Sequence, residues 1–282
     1  MTIRTEQETS VPSEKRFAFG ENWLRFLSVL DEGRIREAEE SLCTMLRVQD
    51  LRGRTFLDVG SGSGLFSLAA RRLGAEVLSF DRDAQSVACT EEMRRRYASS
   101  DDASWKTRSG DVLDRSFLKS LGMWDVVYAW GVLHHTGALW TSIENVTSLV
   151  KPGGSLFISI YNDQGVWSKW WLKLKKLYVS SAPGRLMATA LGTAYFVLAG
   201  LKSDLFHLRN PMAAYRDYRK KRGMSIWHDW VDWFGGYPFE VASPADVVDF
   251  LVKRGFVLVT LRTVGGSLGT NQFVFQRDHK AN

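Results

Sequence analysis

The chain of 282 residues has only two cysteines, Cys43 and Cys89, six prolines and five histidines. Two cysteines so placed make neither a disulfide framework nor metal-ligand spacing, and they point to a reducing compartment. The opening stretch MTIRTEQETSVPSEKRF is polar and lacks the apolar core of a signal peptide, so a cytoplasmic protein is expected. The run 186–201 carries no charge, but it stops at 16 residues and includes Thr189, Gly192, Thr193 and Gly200. A spanning helix needs roughly 20 apolar residues, so this run reads as a buried or membrane-surface helix. No internal repeat is visible.

Acidic residues are scarce in one region only. Residues 164–222 hold 12 Lys or Arg against Asp204 and Asp217, a local net charge of +10 in a chain whose total is +6. The remainder is therefore slightly acidic. A localised basic surface favours an anionic partner, which leaves membrane headgroups, a phosphorylated or acidic substrate, or nucleic acid. Nucleic acid is disfavoured: beside the cluster Arg216, Arg219, Lys220, Lys221 and Arg222 stand only Tyr215 and Tyr218 as stacking aromatics.

Hydrophobic content of 45% and charged content of 24% suit a globular protein with a real core. A helix is expected from Glu21 to about Arg47. Short apolar strands then alternate with helices: strands over 55–59, 75–80, 105–109, 124–130 and 155–161, with helices over 64–73, 84–97 and 139–150. Near-continuous apolar strands separated by helices predict a parallel sheet covered on both faces. The pattern lapses for about 80 residues. It resumes with a helix over 243–254, capped by Ser243 and opened by Pro244. Strands over 257–264 and 271–276 follow, and the glycine-bearing loop between them predicts an antiparallel last strand. The expected architecture is α/β, a Rossmann-like seven-stranded sheet with a helical lid inserted between strand five and the last helix. In segments, a disordered tail (1–16) precedes a helical cover (17–53), a core (54–163), a lid (164–240) and a closing helix and hairpin (241–282).

Three motifs carry chemistry. Asp58-Val59-Gly60-Ser61-Gly62-Ser63-Gly64 joins the first strand to a helix. Glycines permit a tight turn and close backbone approach of a ligand, and a helix N-terminus offers N–H groups to a carboxylate. Asp81 ends strand two, where an acid can accept from both hydroxyls of a ribose; Arg82 follows it. Gly110-Asp111-Val112 follows strand three, where Asp111 can accept from an adenine amine and the Val112 N–H can meet a ring nitrogen. Together these resemble the class I S-adenosylmethionine-dependent methyltransferases over roughly residues 55–161. An acid precedes the glycines, and there is no GxGxxG. Lys151-Pro152-Gly153-Gly154 is similar to that family's turn into strand five. The resemblance implies S-adenosylmethionine as cofactor. It also implies that Asp58 and the backbone of Gly60, Ser61, Gly62 and Gly64 hold the methionine portion, Asp81 the ribose, and Asp111 with Val112 the adenine. Arg82 and Trp130 are further cofactor candidates. The nearest subgroup is the small-molecule O-methyltransferases of ubiquinone-biosynthesis type. Some of those hold a divalent metal with acids at this strand end, where this chain reads Gly131 and His134, so no metal is expected.

Trp130-Gly131-Val132-Leu133-His134-His135 closes strand four, at the end that faces the transferable methyl in this fold. A histidine there can take a proton from a hydroxyl acceptor. His135 is the first choice and His134 the second, because adjacent side chains diverge; His228 is a reserve. Tyr161, Asn162, Trp227 and Tyr237 are candidates for the acceptor pocket. The lid holds six of the 11 tryptophans. Its first helix sets Trp167, Trp170, Trp171, Leu174, Leu177 and Tyr178 against Lys169, Lys173 and Lys176. The expected reaction is methyl transfer to a small-molecule hydroxyl, with a sugar-bearing, anionic or lipid-linked acceptor suiting the lid and peripheral membrane contact open to 167–202. A membrane-surface methyltransferase of a lipid-linked glycan, an RNA methyltransferase and a non-catalytic binding module are the alternatives.

Overall fold

The computed structural model describes residue 27 and residues 30–98, 103–206 and 234–279. Helix α1 (Glu32–Leu46) is capped by Asp31, whose carboxylate accepts the Arg34 N–H at 2.9 Å. Leu30 and Asp31 are not helical, so the described part of the helix expected from 21 to 47 starts at Glu32, where the aspartate side chain takes over a backbone donor.

The sheet is built from β1 (Thr55–Val59), β2 (Glu76–Asp81), β3 (Trp105–Ser109), β4 (Trp124–Trp130), β5 (Val150–Tyr161), β6 (Phe256–Arg262) and β7 (Thr270–Arg277). Their spatial order is β3-β2-β1-β4-β5-β7-β6. Only β7 runs against the rest, paired antiparallel with both β5 and β6. The order reverses between β1 and β4, so the carboxyl ends of these two strands diverge around a crevice.

Connecting helices are α2 (Leu65–Arg72), α3 (Ala84–Tyr97), α4 (Arg115–Leu121), α5 (Leu139–Thr147) and α8 (Pro244–Val252). Helix α4 was not legible in the sequence. It is short, and Asp114 opens it by accepting the Ser116 and Phe117 N–H groups. The Lys-Pro-Gly-Gly segment is not a turn before β5 but a bulge inside it. Pairing with β4 jumps from Trp124–Val150 to Val126–Ser155 across those residues.

Alternation along the strands sorts the core into two layers. Phe56, Val126, Tyr128 and Phe157 face α1, α2 and α3 with Ile35, Leu42, Leu68 and Met93. Leu57, Val127, Ala129 and Ile158 face α4, α5 and α8 with Leu118, Ile143, Val146 and Leu251.

Between β5 and α8 lie α6 (Val166–Ser180) and α7 (Ala182–Phe206), packed on each other. They own a third core of Trp171, Leu174, Tyr178, Ala188, Phe234 and Phe239. Gly192 makes this possible, since a Cβ there would overlap the Phe234 ring. Helix α7 also exceeds the expected 186–201. Residues Ala182–Lys202 form a stretch of 21 with mean hydropathy 1.3, long and apolar enough to cross a membrane by length and composition alone. Gly192→Ala is expected to displace Phe234 and destabilise the protein by about 1–3 kcal/mol. Urea unfolding would measure this, and unchanged stability would show that the Phe234 contact does not hold the lid.

Candidate active site

The first turn is shaped from inside. Gly60 and Ser61 donate their N–H groups to the Phe80 carbonyl at 2.8 and 3.1 Å. Gly62 donates to Asp81 Oδ2 at 3.0 Å, and Gly64 donates to the Ser61 carbonyl at 2.8 Å. Gly60, Gly62 and Gly64 have φ of 72°, 54° and 79°, a region that side chains oppose. The N–H groups of Gly60, Ser61, Gly62 and Gly64 are thus satisfied within the protein, so the backbone expected to hold the methionine portion offers a ligand its carbonyls and its shape.

Asp58 supports that turn from behind. Its side chain is 2% exposed, and Oδ2 accepts from Ser67 Oγ on α2 at 2.5 Å. Ser67 Oγ contacts Ser79 Oγ at 2.6 Å, and Ser79 Oγ in turn accepts from Trp105 Nε1 at 2.9 Å. The chain of polar groups ties β1, β2, β3 and α2 together under the glycines. Burial pushes the Asp58 carboxyl up to about 7. So enclosed a side chain positions the turn instead of meeting a ligand directly, which corrects its expected place against the methionine portion.

Asp81 lies at the rim. Its Oδ2 takes the Gly62 N–H and its Oδ1 takes the Asp83 N–H at 2.9 Å, so one carboxylate fixes the turns after β1 and β2. Burial raises it to about 6. Each oxygen keeps a second lone pair for a further donor. Arg82 reaches across to Asp111 at 3.2 Å, bridging the ends of β2 and β3, and both are substantially exposed. Asp111 also accepts the Leu113 N–H at 2.9 Å. The Val112 side chain is buried, and its carbonyl accepts from Asn145. Trp130, 41% exposed, ends β4 with its ring over Phe66.

Beyond Trp130, a short turn of 3₁₀ helix (Leu133–His135) presents the two histidines. They diverge. His134 is fully buried, and neither ring nitrogen makes a hydrogen bond of ordinary geometry among the described residues. His135 is partly exposed, and its Nδ1 lies 2.7 Å from the Pro238 carbonyl. A carbonyl only accepts, so Nδ1 carries the proton and Nε2 is the basic nitrogen. Burial, with the Lys175 charge second, holds His135 down to about 3, and burial drives His134 well below the ordinary histidine range. Both rings are neutral at pH 7.

Tyr161 closes this corner. Its ring centre is 4.0 Å from that of His134, 5.4 Å from His135 and 5.1 Å from Phe239. Lys175 of α6 is fully buried with its ammonium 4.9 Å from the Phe239 ring centre. Glu240 joins the corner by accepting the Leu139 N–H at 3.1 Å and donating its own N–H to the His134 carbonyl at 3.0 Å. Lys175, Pro238, Phe239 and Glu240 were missed in the sequence. For Lys175 a signal existed: it sits four residues after Trp171 and three before Tyr178, on the apolar face.

Asn162 is corrected. Its amide donates to the Gly265 and Ser267 carbonyls at 2.8 and 3.2 Å and accepts from Asn271 at 2.9 Å. It is buried and clamps the β6–β7 loop to the end of β5, which commits both amide hydrogens to the fold. Tyr237 is half-buried beside Pro238. Trp227 and His228 lie outside the described residues, as does the basic cluster 216–222.

The description "Methyltransferase domain" fits residues 30–194, more than half of the chain. The chain belongs to the methyltransferase-domain family. Among curated proteins it is similar to a ribosomal protein L11 methyltransferase of Photobacterium profundum, 37% identical over 42% of this chain and 38% of that one. It is also similar to a ubiquinone biosynthesis O-methyltransferase of Xanthomonas campestris pv. campestris, 34% identical over 40% of this chain and 45% of the relative. The chain thus spans less than half the length of the curated relatives it matches. In fold it matches a crystal structure of magnesium protoporphyrin IX methyltransferase from Synechocystis PCC 6803 with bound SAH. That match has a TM-score of 0.53 at 15% identity and covers 92% of this chain and 94% of the other.

The cofactor of this family member is S-adenosylmethionine, and the residues present fit it. An acid with spare lone pairs stands at the end of β2, an exposed aspartate at the end of β3, and glycines at the end of β1 keep the floor free of side chains. Asp81→Ala should weaken binding of S-adenosylhomocysteine about 10- to 100-fold, the loss expected for hydrogen bonds to a charged group. Isothermal titration would measure it. Unchanged affinity would remove Asp81 from the ribose position.

Proposed function

We propose that this protein transfers a methyl group to a hydroxyl oxygen of a small, ring-bearing molecule, with His135 taking the hydroxyl proton. S-adenosylmethionine supplies a methyl group on a positively charged sulfur, an electrophile that needs no further activation. The rest falls to the protein, which must align the acceptor oxygen and receive its proton.

The observation that carries this reading is the His135–Pro238 hydrogen bond. It sets the tautomer that leaves Nε2 able to accept, at the end of the strand beside the crevice. Low basicity keeps the ring neutral and ready at pH 7, while limiting how strongly it can pull the proton before the oxygen–carbon bond forms. Tyr161 and Phe239 give an aromatic wall for a flat acceptor, and the Lys175 charge behind that wall favours an acceptor with anionic character. The similarity to an O-methyltransferase of ubiquinone biosynthesis supports oxygen as the methylated atom. The cofactor contacts of Asp81, Arg82, Asp111 and Trp130 belong to the same proposal.

Incubation with labelled S-adenosylmethionine and a panel of phenols and hydroxylated ring compounds tests the reaction. Transfer to nitrogen or carbon alone, established from the product spectrum, would overturn it. His135→Ala should lower kcat about 10²- to 10⁴-fold with S-adenosylhomocysteine affinity unchanged. The pH profile is a separate check. Because protonation of His135 is pushed down to about 3, kcat at saturating S-adenosylmethionine should stay level from pH 7 to about 5, while the Asp81 carboxyl, raised to about 6, would act on cofactor affinity. An acid limb near the ordinary histidine value would mean that the base is a solvated imidazole elsewhere.

A further inference from the structure

The pair α6–α7 has two faces with different fates. The inner face, with Trp171, Leu174, Tyr178 and Ala188, is buried against Phe234 and Phe239. The described residues leave the outer face of α7 uncovered. Leu186, Met187, Leu191, Leu198 and Leu201 are all exposed, Leu186 by 74% and Leu198 by 66%. At 3.6 residues per turn these five fall within about 140° of arc, so they form one stripe on the side away from Ala188 and Gly192. Trp167 at the start of α6 is also 55% exposed, and its ring centre is 6.3 Å from that of Tyr195 on α7. Only 17% of the apolar stretch Ala182–Lys202 is buried, which sets it apart from the core helix of a soluble domain.

Charge says what covers this stripe. From residue 164 to 203 the chain has six Lys or Arg and not one Asp or Glu. Lys175 is buried, while Lys169, Lys173, Lys176, Arg185 and Lys202 are exposed on the same two helices. A second copy of the chain would press this uncompensated positive charge against itself. A bilayer rich in anionic headgroups offers both acyl chains for the leucines and negative charge for the lysines.

We propose that the outer face of α6–α7 docks on an anionic membrane surface, with α7 lying in the interface plane instead of crossing it. Crossing would require α7 to leave Trp171 and Phe234, and Arg185 to abandon the Tyr178 ring 5.5 Å away. This docking does not depend on which acceptor the active site takes.

Flotation of the full chain with vesicles tests it directly, using phosphatidylcholine alone and phosphatidylcholine mixed with phosphatidylglycerol. Binding is expected to the mixed vesicles, and it should weaken at about 0.5 M salt, where screening is strong. Carbonate washing at high pH should release the protein. The exposed-site variant Leu186→Ser, Leu191→Ser, Leu198→Ser should bind at least about tenfold more weakly. It should also keep the wild-type affinity for S-adenosylhomocysteine, which shows that it is folded. Lys169→Gln, Lys173→Gln, Lys176→Gln should erase the preference for the mixed vesicles. The proposal is overturned if the wild type floats with neither vesicle, if the triple serine variant binds as the wild type does, or if carbonate fails to release the protein. It is equally overturned if the wild type is a dimer that the serine variant makes monomeric.

Discussion

A single carboxylate at the end of β2 connects the parts of this site. Asp81 takes one N–H from the glycine turn and another from the start of the next loop. The turns after β1 and β2 therefore move as one body. Asp58, one layer deeper, fixes the same turn to α2 through Ser67 and to β2 through Ser79. Two acids, Asp58 buried and Asp81 at the rim, thus hold the backbone and helix around the crevice, and Asp81 keeps lone pairs for a ligand. Burial raises the carboxyls of both, which is what desolvation without a nearby cation does.

The corner beyond β4 is organised differently. It is aromatic, and its polar groups come from distant parts of the chain. His134 and His135 follow β4, Tyr161 ends β5, and Phe239 and Glu240 approach from just before α8. Lys175 arrives from the lid. Bridging between Asn162 and Ala242 runs the segment before α8 alongside the end of β5, which brings Pro238 to His135. The reversed strand β7 contributes by returning its loop to Asn162, so this end of the sheet is clamped as well.

Much of this was readable in the sequence because it is local. The short, near-continuous apolar runs gave β1 and β4 their bounds, and the glycine spacing marked the first turn. Ser243 and Pro244 marked the start of α8. Three things were not readable. The helix start at Asp31 and helix α4 depend on single side chains capping short segments. The bulge at 151–154 is set by strand pairing. The corner beyond β4 depends on tertiary contact between residues about 100 positions apart, such as His135 and Pro238. The roles of Asp58 and Asn162 were misplaced for the same reason: residue type announced polar chemistry, but burial had already assigned that chemistry to the fold.

The opposed environments of the acids and the histidines have a consequence for acid tolerance. Asp58 and Asp81 hold protons that the unfolded chain would release above about pH 4, so their contribution favours the fold at low pH and fades as pH rises toward 7. His135 refuses a proton that the unfolded chain would take below about pH 6.5, so its contribution runs the other way. Across mildly acidic pH the two slopes oppose each other. The same burial thereby sets the two sides of the crevice against each other in how they respond to the proton concentration around them.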